Sequence, residues 1–536
     1  MEVTSRSAAA PPEDLTSTSG ASPATVERGE NGPTPCPPAA SLSPKLLVGD
    51  TLLYGLSGAA TKLLAVFTVP ILTRFLTPTD YGVIDATVAW AVVFTGVVVL
   101  GQDSAVARFL YDRPGDPQHR ARVIASGLII QVMLLALFAL VFWYFSDPIG
   151  RLMFAGHPEL IRYWKLALLI VPGAVFFSFA TGVFKWNFQR RPYLLLTLGV
   201  SALQVGLTVF MVAYLRWGIQ GGILPAVIAM NFFSLIGLGI SLKPLKGQRW
   251  VPTTGLLKGM ALYGLPFAVV MLVGAIIPSL DRLFLIRYSS LSDMGIYAVA
   301  TRVASLMGLV VGAFSITFGP YAFSVWDRKE APRAFGEFCG GLMVLLVFLS
   351  LLISASGGLL LHIVATEDYS AAVLLLPPLT LSYVFQGMLE FTLLGIAWAK
   401  KSVYNLLVVV LGLAVMLVFN YLLVPSLTTM GAALAFLVSK AAMNLVAYVF
   451  SSRYYHIEFA LPRLFGALVL AVGVFGLVYL DFYAHSLATA VLKYLAVFSF
   501  PGFGFLIVFP SERRREFLSR CVLRATRWPF WAKAGV

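Results

Sequence analysis

Fourteen stretches of roughly twenty mostly apolar residues, the length that crosses the hydrocarbon of a bilayer, leave this chain one kind of architecture. They lie at about 46–72, 82–104, 122–146, 161–184, 193–215, 219–242, 257–283, 293–316, 338–364, 371–397, 403–424, 430–452, 462–482 and 488–510. Lipid offers no hydrogen bonds, so each stretch must satisfy its own backbone, and a helix does so within the segment. Only 12% of the 536 residues are charged, against roughly 25% in a soluble domain. The sequence therefore predicts an all-α polytopic membrane protein with no soluble domain of any size.

The ends are made of different material. Residues 1–45 are rich in Pro, Ser, Ala and Thr and nearly free of large apolar side chains. No apolar segment stands near the start as a signal peptide requires, so this reads as a disordered cytoplasmic tail. The rest divides into a six-helix half at 46–242, a second at 257–452, two additional helices at 462–510 and a basic cytoplasmic tail at 511–536.

The formal net charge is +14. In a soluble protein that would raise the question of nucleic acid. Here the basic residues sit mostly in short loops and the C-terminal tail, where they fix topology and touch anionic lipid headgroups, so no nucleic-acid partner is expected. With the N-terminus placed in the cytoplasm, 28 of the 39 Lys and Arg fall on the cytoplasmic side. Eight, among them Arg74 and Arg282, fall opposite, and Lys62, Arg302 and Lys440 lie inside spans. One missed or false helix would scramble that alternation. A multi-pass plasma-membrane protein with both termini cytoplasmic is expected.

An internal repeat runs through the spans. Leu53-Tyr54-Gly55-Leu56 recurs as Leu262-Tyr263-Gly264-Leu265, Pro70 with Arg74 as Pro278 with Arg282, and Asp80-Tyr81-Gly82 as Asp293-Met294-Gly295. The three matches come in order along the chain, at offsets of 208 to 213. Six helices separate the copies, so both point the same way across the membrane. Such parallel repeats build transporters whose halves are related by an axis along the membrane normal.

The signatures of enzymes are missing. No phosphate-binding loop ending in Gly-Lys, no Asp-x-Asp and no His-Glu-x-x-His occurs. The five histidines and the cysteines Cys36, Cys339 and Cys521 are scattered, without metal-ligand spacing. No large external loop is present to house a glycan polymerase or ligase. Catalysis, metal and cofactor are not expected.

The stretch Leu72-Thr-Arg-Phe-Leu-Thr-Pro-Thr-Asp-Tyr-Gly82, followed by an apolar helix and Asp103-Ser-Ala-Val-Ala-Arg-Phe109, resembles the N-terminal signature of the oligosaccharide flippases. These are the Wzx-like polysaccharide biosynthesis transporters of the multidrug/oligosaccharidyl-lipid/polysaccharide (MOP) exporter superfamily. Ser279-Leu-Asp-Arg-Leu-Phe-Leu285 and Gly295-Ile-Tyr-Ala-Val-Ala-Thr-Arg302 are similar to the same family's second half. The resemblance implies transfer of an undecaprenyl-diphosphate-linked oligosaccharide across the plasma membrane of a bacterium, by alternating access, for O-antigen (lipopolysaccharide), capsule or exopolysaccharide synthesis. It implies two halves forming a V-shaped bundle with the last two helices outside it. Glycan polymerase and glycosyltransferases are the partners it suggests. The long N-terminal tail and arginine-rich C-terminal tail depart from the family's usual short ends.

Charges within spans are costly and tend to face a cavity or a partner. Arg302 lies about ten residues into its span, or about 15 Å deep at roughly 1.5 Å per residue. With Lys62 and Lys440 it would give a cationic cavity suited to a diphosphate, since guanidinium and ammonium groups make charge-assisted hydrogen bonds to phosphate oxygens. The competing reading is that each base pairs with a neighbouring acid and only locks the bundle. Arg74 and Arg282, at matching span ends, suit lipid headgroups or substrate. Tyr54 and Tyr263, at matching places in the repeat, could stack on sugar rings. Asp85 and Glu390 are the buried acids. Each suits coupling to a proton or sodium gradient or a salt bridge, and Asp85 matches Lys62 in depth. A cation-coupled multidrug exporter of the same superfamily, or an exporter of another lipid-linked precursor, is the alternative. Its cavity should be dominated by acids. A non-transporting scaffold would instead turn Lys62, Arg302 and Lys440 toward lipid or packed seams.

Overall fold

The computed structural model describes residues 44–511 except 114, 155, 156, 249, 400 and 485. The tails expected at 1–45 and 511–536 lie almost wholly outside the described residues. The first half comprises α1 (Pro44–Phe75), α2 (Pro78–Val99), α3 (Gln102–Leu110), α4 (Pro117–Met153), α5 (Leu160–Leu168), α6 (Ile170–Trp186), α7 (Arg190–Thr208) and α8 (Gly218–Ser241). The second comprises α9 (Thr254–Tyr288), α10 (Leu291–Ala304), α11 (Met307–Val325), α12 (Ala331–Ala355), α13 (Gly357–Val364), α14 (Leu376–Thr392), α15 (Leu394–Trp398) and α16 (Ser402–Ser451). Then come α17 (Leu461–Ala484) and α18 (Leu487–Val508). No strand occurs among the described residues.

Among the described residues, thirteen helical segments are long and apolar enough to cross a membrane. One of them, Val403–Ser451, is 49 residues long and is a hairpin. At Thr428 the backbone leaves the helix for φ 48°, ψ −121°, a left-handed conformation that a β-branched residue rarely adopts. Beyond it Ser439 donates back to the Gly412 carbonyl at 2.7 Å. The described residues thus make fourteen crossings, as the apolar runs predict.

Several predicted spans are broken helices, among them 82–104 and 293–316. The run at 82–104 stops at Val99, passes through Leu100 (φ 46°) and Gly101 (φ 69°), and resumes as α3. Gln131 reaches in from α4 and donates to the freed Val99 carbonyl at 3.0 Å. The run at 293–316 breaks at Ser305–Leu306, immediately beyond Arg302.

The repeated Asp-x-Gly motif has a structural reason. Thr77 caps α2 and Ser290 caps α10, each paired reciprocally with the aspartate three residues on, Asp80 and Asp293. These capping boxes satisfy helix-start donors that lipid and the facing helix cannot. One turn in, the helices cross at Gly82 and Gly295. A Cβ on Gly82 would collide with the Leu291 carbonyl, and one on Gly295 with the Pro78 carbonyl. The contact is reciprocal, as a two-fold relation between halves produces. In lipid no hydrophobic force separates helix–helix from helix–tail contact, so close approach through small residues supplies the association. Beside the crossing, Thr73 lies 2.8 Å from the Val364 carbonyl and Tyr369 donates to Leu76 at 3.1 Å. First half and second half are sewn together at this end.

Buried side chains of α2, α5, α6 and α8 run continuously into those of α9 and α10, so one core spans the halves. A second core joins α12 and α14 to α17 and α18. The last two helices pack on the outer flank of the second half. Val508 of α18 lies against Gly340, and the Glu458 carbonyl, just before α17, against Gly336.

Gly295→Ala should lower the stability of the detergent-solubilised protein by about 1–3 kcal/mol through overpacking against Pro78. Gly239→Ala, where nothing lies within 4 Å of the new methyl group, should be neutral or slightly stabilising. Thermal unfolding of both variants checks this, and equal melting temperatures would contradict the crossing.

Candidate functional site

Just inside the glycine crossing, one helical turn from Gly82, stands Asp85. Its carboxylate is buried and meets two guanidinium groups from the other half. Arg282 of α9 donates from Nε to Oδ2 at 3.0 Å, and its Nη2 lies 3.0 Å from the same oxygen. Arg302 of α10 approaches the other oxygen, Oδ1, at 3.8 Å. Arg282 is further held by donation from Nη1 to the Pro278 carbonyl at 2.6 Å, and its guanidinium lies 5.5 Å from the centre of the Tyr297 ring.

A second acid backs this arrangement. Asp281 is 1% exposed. It accepts hydrogen bonds from the Tyr297 hydroxyl and from Asn420 Nδ2, the latter at 3.3 Å, and Arg282 Nη1 stands 4.0 Å from it. Two acids and two bases therefore balance. Removing one partner of such a pair leaves an uncompensated buried charge, at a cost of about 3–5 kcal/mol.

The four charged residues are not equally committed. The Arg282 side chain is 9% exposed, whereas that of Arg302 is 43% exposed. Arg302 also stands beside the Tyr81 hydroxyl. It borders two cavities. The larger, about 500 Å³, lies between α2, α9, α10, α14 and α16, with Asp85, Ser279, Arg282, Tyr297, Arg302 and Tyr383 in its wall. The smaller, about 90 Å³, lies between α1, α2, α7 and α8 and is lined by Thr61, Thr68, Gln204 and Thr208. The larger falls within the size range of small-molecule sites. Among the described residues no three His, Cys, Asp or Glu side chains come together to hold a metal.

The sequence-predicted residues separate into members of this site and others. Arg302 and Asp85 are in it. The expected depth match of Asp85 with Lys62 does not become a salt bridge, because Arg282 and Arg302 take the carboxylate. Arg282 is not at a span end. Helix α9 continues to Tyr288, so the residue counted among the externally placed bases is carried inside and buried. Its repeat mate Arg74 sits one residue from the end of α1 and is exposed. Lys62 is exposed on α1 and faces the second half, where a methyl group on Gly308 would lie 3.7 Å from Nζ and 3.2 Å from the Tyr383 ring. Lys440 donates to Gln386 Oε1 at 2.7 Å and lies 5.4 Å from the centre of the Phe436 ring. Glu390 lies beside the Ser315 hydroxyl, which donates to the Val311 carbonyl at 2.9 Å, and is not in the wall of either cavity. Tyr263 packs edge-on against Phe109 and at a tilt against Phe267, away from both cavities. Tyr54 lies on α1, but its side chain is outside the described residues.

Asp281, Tyr297 and Asn420 escape sequence reasoning. Asp281 stands in the Ser279–Leu285 motif, where a span boundary drawn at 283 disguises it as interfacial. Tyr297 is one aromatic among many, and Asn420 a lone amide in an apolar run.

Against known proteins, a family model described as polysaccharide biosynthesis protein matches residues 47–325, just over half of the chain. A protein of Haemophilus influenzae described as an uncharacterized membrane protein is 22% identical over 281 residues. The match covers 52% of this chain and 65% of that relative's length, just under two thirds. Among solved structures, the lipid II flippase MurJ in an inward closed conformation aligns with a TM-score of 0.66 at 13% identity, covering 85% of this chain and 99% of that one. An inward-facing multidrug resistance MATE family transporter of the MOP superfamily aligns with a TM-score of 0.60 at 16% identity, covering 73% and 94%. At such identities the likeness is one of fold.

Arg282→Gln should destabilise the protein by about 3–5 kcal/mol, and the double variant Asp85→Asn/Arg282→Gln should recover part of that loss. A double-mutant cycle on thermal unfolding measures the coupling. Strict additivity of the two single changes would show that the pair contributes nothing jointly.

Proposed function

Because the chain belongs to the polysaccharide biosynthesis protein family, we propose that it is a flippase for an undecaprenyl-diphosphate-linked oligosaccharide, moving it across the bacterial plasma membrane by alternating access of its two halves. The product serves a cell-surface glycan such as O-antigen, capsule or exopolysaccharide. Glycosyltransferases supply the cargo on the cytoplasmic side, where both termini lie, and a polymerase consumes it outside. The resemblance of the Leu72–Gly82 and Ser279–Leu285 signatures supports the same reading.

The observation that carries it is the half-exposed Arg302 guanidinium, beside Arg282, in the wall of a cavity between the halves. A base at this depth that is neither buried nor snorkelling to an interface needs an anion or water to face. A diphosphate supplies the anion, and a planar guanidinium matches its oxygens in pairs. Lys62, which faces the second half from α1, adds positive charge from the first. For a cationic drug the acids would have to be available. Asp85 is occupied by two guanidinium groups and Asp281 by Tyr297 and Asn420, which disfavours that cargo. Glu390, beside the Ser315 hydroxyl and without an ion pair among the described residues, suits coupling to a proton or sodium gradient better than Asp85 does.

Arg302→Ala should leave the protein folded and in the membrane while surface glycan falls and lipid-linked precursor accumulates inside. Arg302→Lys should restore export in part, keeping charge but losing the planar fork. Glycan display and precursor levels in a strain lacking the chromosomal copy provide the measurement. Normal display by the Ala variant would sink the assignment.

A further inference from the structure

We propose that Asp85 is an internal stand-in for the cargo's phosphate: it occupies Arg282 and Arg302 when the transporter is empty, and an arriving diphosphate displaces it, releasing the latch that holds the halves together. This rests on the reading of the cargo as a polyprenyl diphosphate.

Three observations lead there. The first is that the same two guanidinium groups serve both purposes. They line the cavity, and they are the groups that Asp85 engages across the halves. A phosphate entering the cavity meets the same guanidinium groups that hold the carboxylate. The second is the uneven grip. Arg282 holds Oδ2 with two nitrogens at 3.0 Å, while Arg302 stands 3.8 Å from Oδ1 with its side chain 43% exposed. Arg302 is the group an incoming anion captures first, and a cargo that draws it away leaves Asp85 with one partner of two. The third is location. The pair lies one turn from the Gly82–Gly295 crossing, in the same seam as the Thr73–Val364 and Tyr369–Leu76 contacts. Loss of the ion pair therefore weakens the seam where the halves meet.

The repeat supports the assignment. At the 213-residue offset of Gly82 and Gly295, Asp85 corresponds to Ala298, and Arg302 to Ala89. The related helices supply an acid from one side and a base from the other. The resulting arrangement lets the empty carrier close without cargo. It also couples opening to cargo charge, because an uncharged ligand cannot compete for a guanidinium.

The test is cross-linking of the seam. Thr73→Cys and Val364→Cys are introduced with Cys36, Cys339 and Cys521 replaced by Ala, and the protein is placed in phosphatidylcholine nanodiscs. A short thiol cross-linker then reports closure. Undecaprenyl diphosphate should slow cross-linking by about fivefold or more, within the usual range of coupling between sites, and undecaprenol should do nothing. Asp85→Asn should cross-link slowly even without lipid and respond no further, while Asp85→Glu should behave as the parent does. Arg302→Gln, which leaves the tight Arg282 contact in place, gives a second arm should Asp85→Asn fold poorly. It should close normally and lose the response to undecaprenyl diphosphate. Parent-like closure and lipid response in Asp85→Asn, or an undiminished response in Arg302→Gln, would overturn the proposal. So would a parent seam indifferent to both undecaprenyl diphosphate and inorganic pyrophosphate. Failure of the flippase reading appears separately, as unchanged glycan display and precursor levels in cells lacking the protein.

Discussion

The approach of Gly82 to the Leu291 carbonyl and of Gly295 to the Pro78 carbonyl fixes how near the two halves can come. In a bilayer this contact cannot be replaced by burial of apolar side chains, because lipid tails are as good a solvent for them. Backbone must meet backbone, which requires hydrogen on the α-carbon and helix starts that need nothing from the neighbour. The two capping boxes provide the latter. Once the helices are that close, a side chain as short as aspartate at position 85 spans the gap to α9. With bulkier residues at the crossing the same carboxylate would stop short of Arg282.

The charge cluster behind the crossing is assembled by helix length. Because α9 extends to Tyr288, Asp281 and Arg282 sit more than a turn inside its end. Three further elements then complete the cluster: α2 gives Asp85, α10 gives Tyr297 and Arg302, and the first arm of the α16 hairpin gives Asn420. Each charge has a counter-charge or neutral donor at hand except on the open side of Arg302. Low dielectric strengthens every one of these contacts and punishes any gap among them. The cluster is thus rigid at Arg282 and adaptable at Arg302.

Much of the fold can be read from the chain because the bilayer imposes one length scale on every span. Apolar runs locate the crossings, and even the α16 hairpin, which the backbone joins across Thr428, appears as two runs. The breaks at Leu100–Gly101 and Ser305–Leu306 are less legible, since hydropathy is continuous across them. The site was legible in its single charges: Arg302 and Asp85 stand out as expensive residues inside apolar runs. Its pairing was not. Which base meets Asp85 depends on which half-helix faces which across more than two hundred residues of sequence, and Lys62, of equal depth, is a plausible partner until the helices are placed. Arg282 was misplaced for a simpler reason, because amphiphilic span ends hide where a helix stops.

The reciprocal contact at the crossing has a consequence for where charge can stand in such a molecule. Were the halves identical, positions 85 and 298 would carry the same residue, and so would 89 and 302. The crossing would then hold two acids, two bases, both sets together, or none. The present arrangement of one acid, one base and two alanines is open only to a chain whose halves differ in sequence. Carrying both halves on one polypeptide therefore does more than hold them at high local concentration. It lets opposite charges stand at corresponding places, which an assembly of identical subunits cannot do.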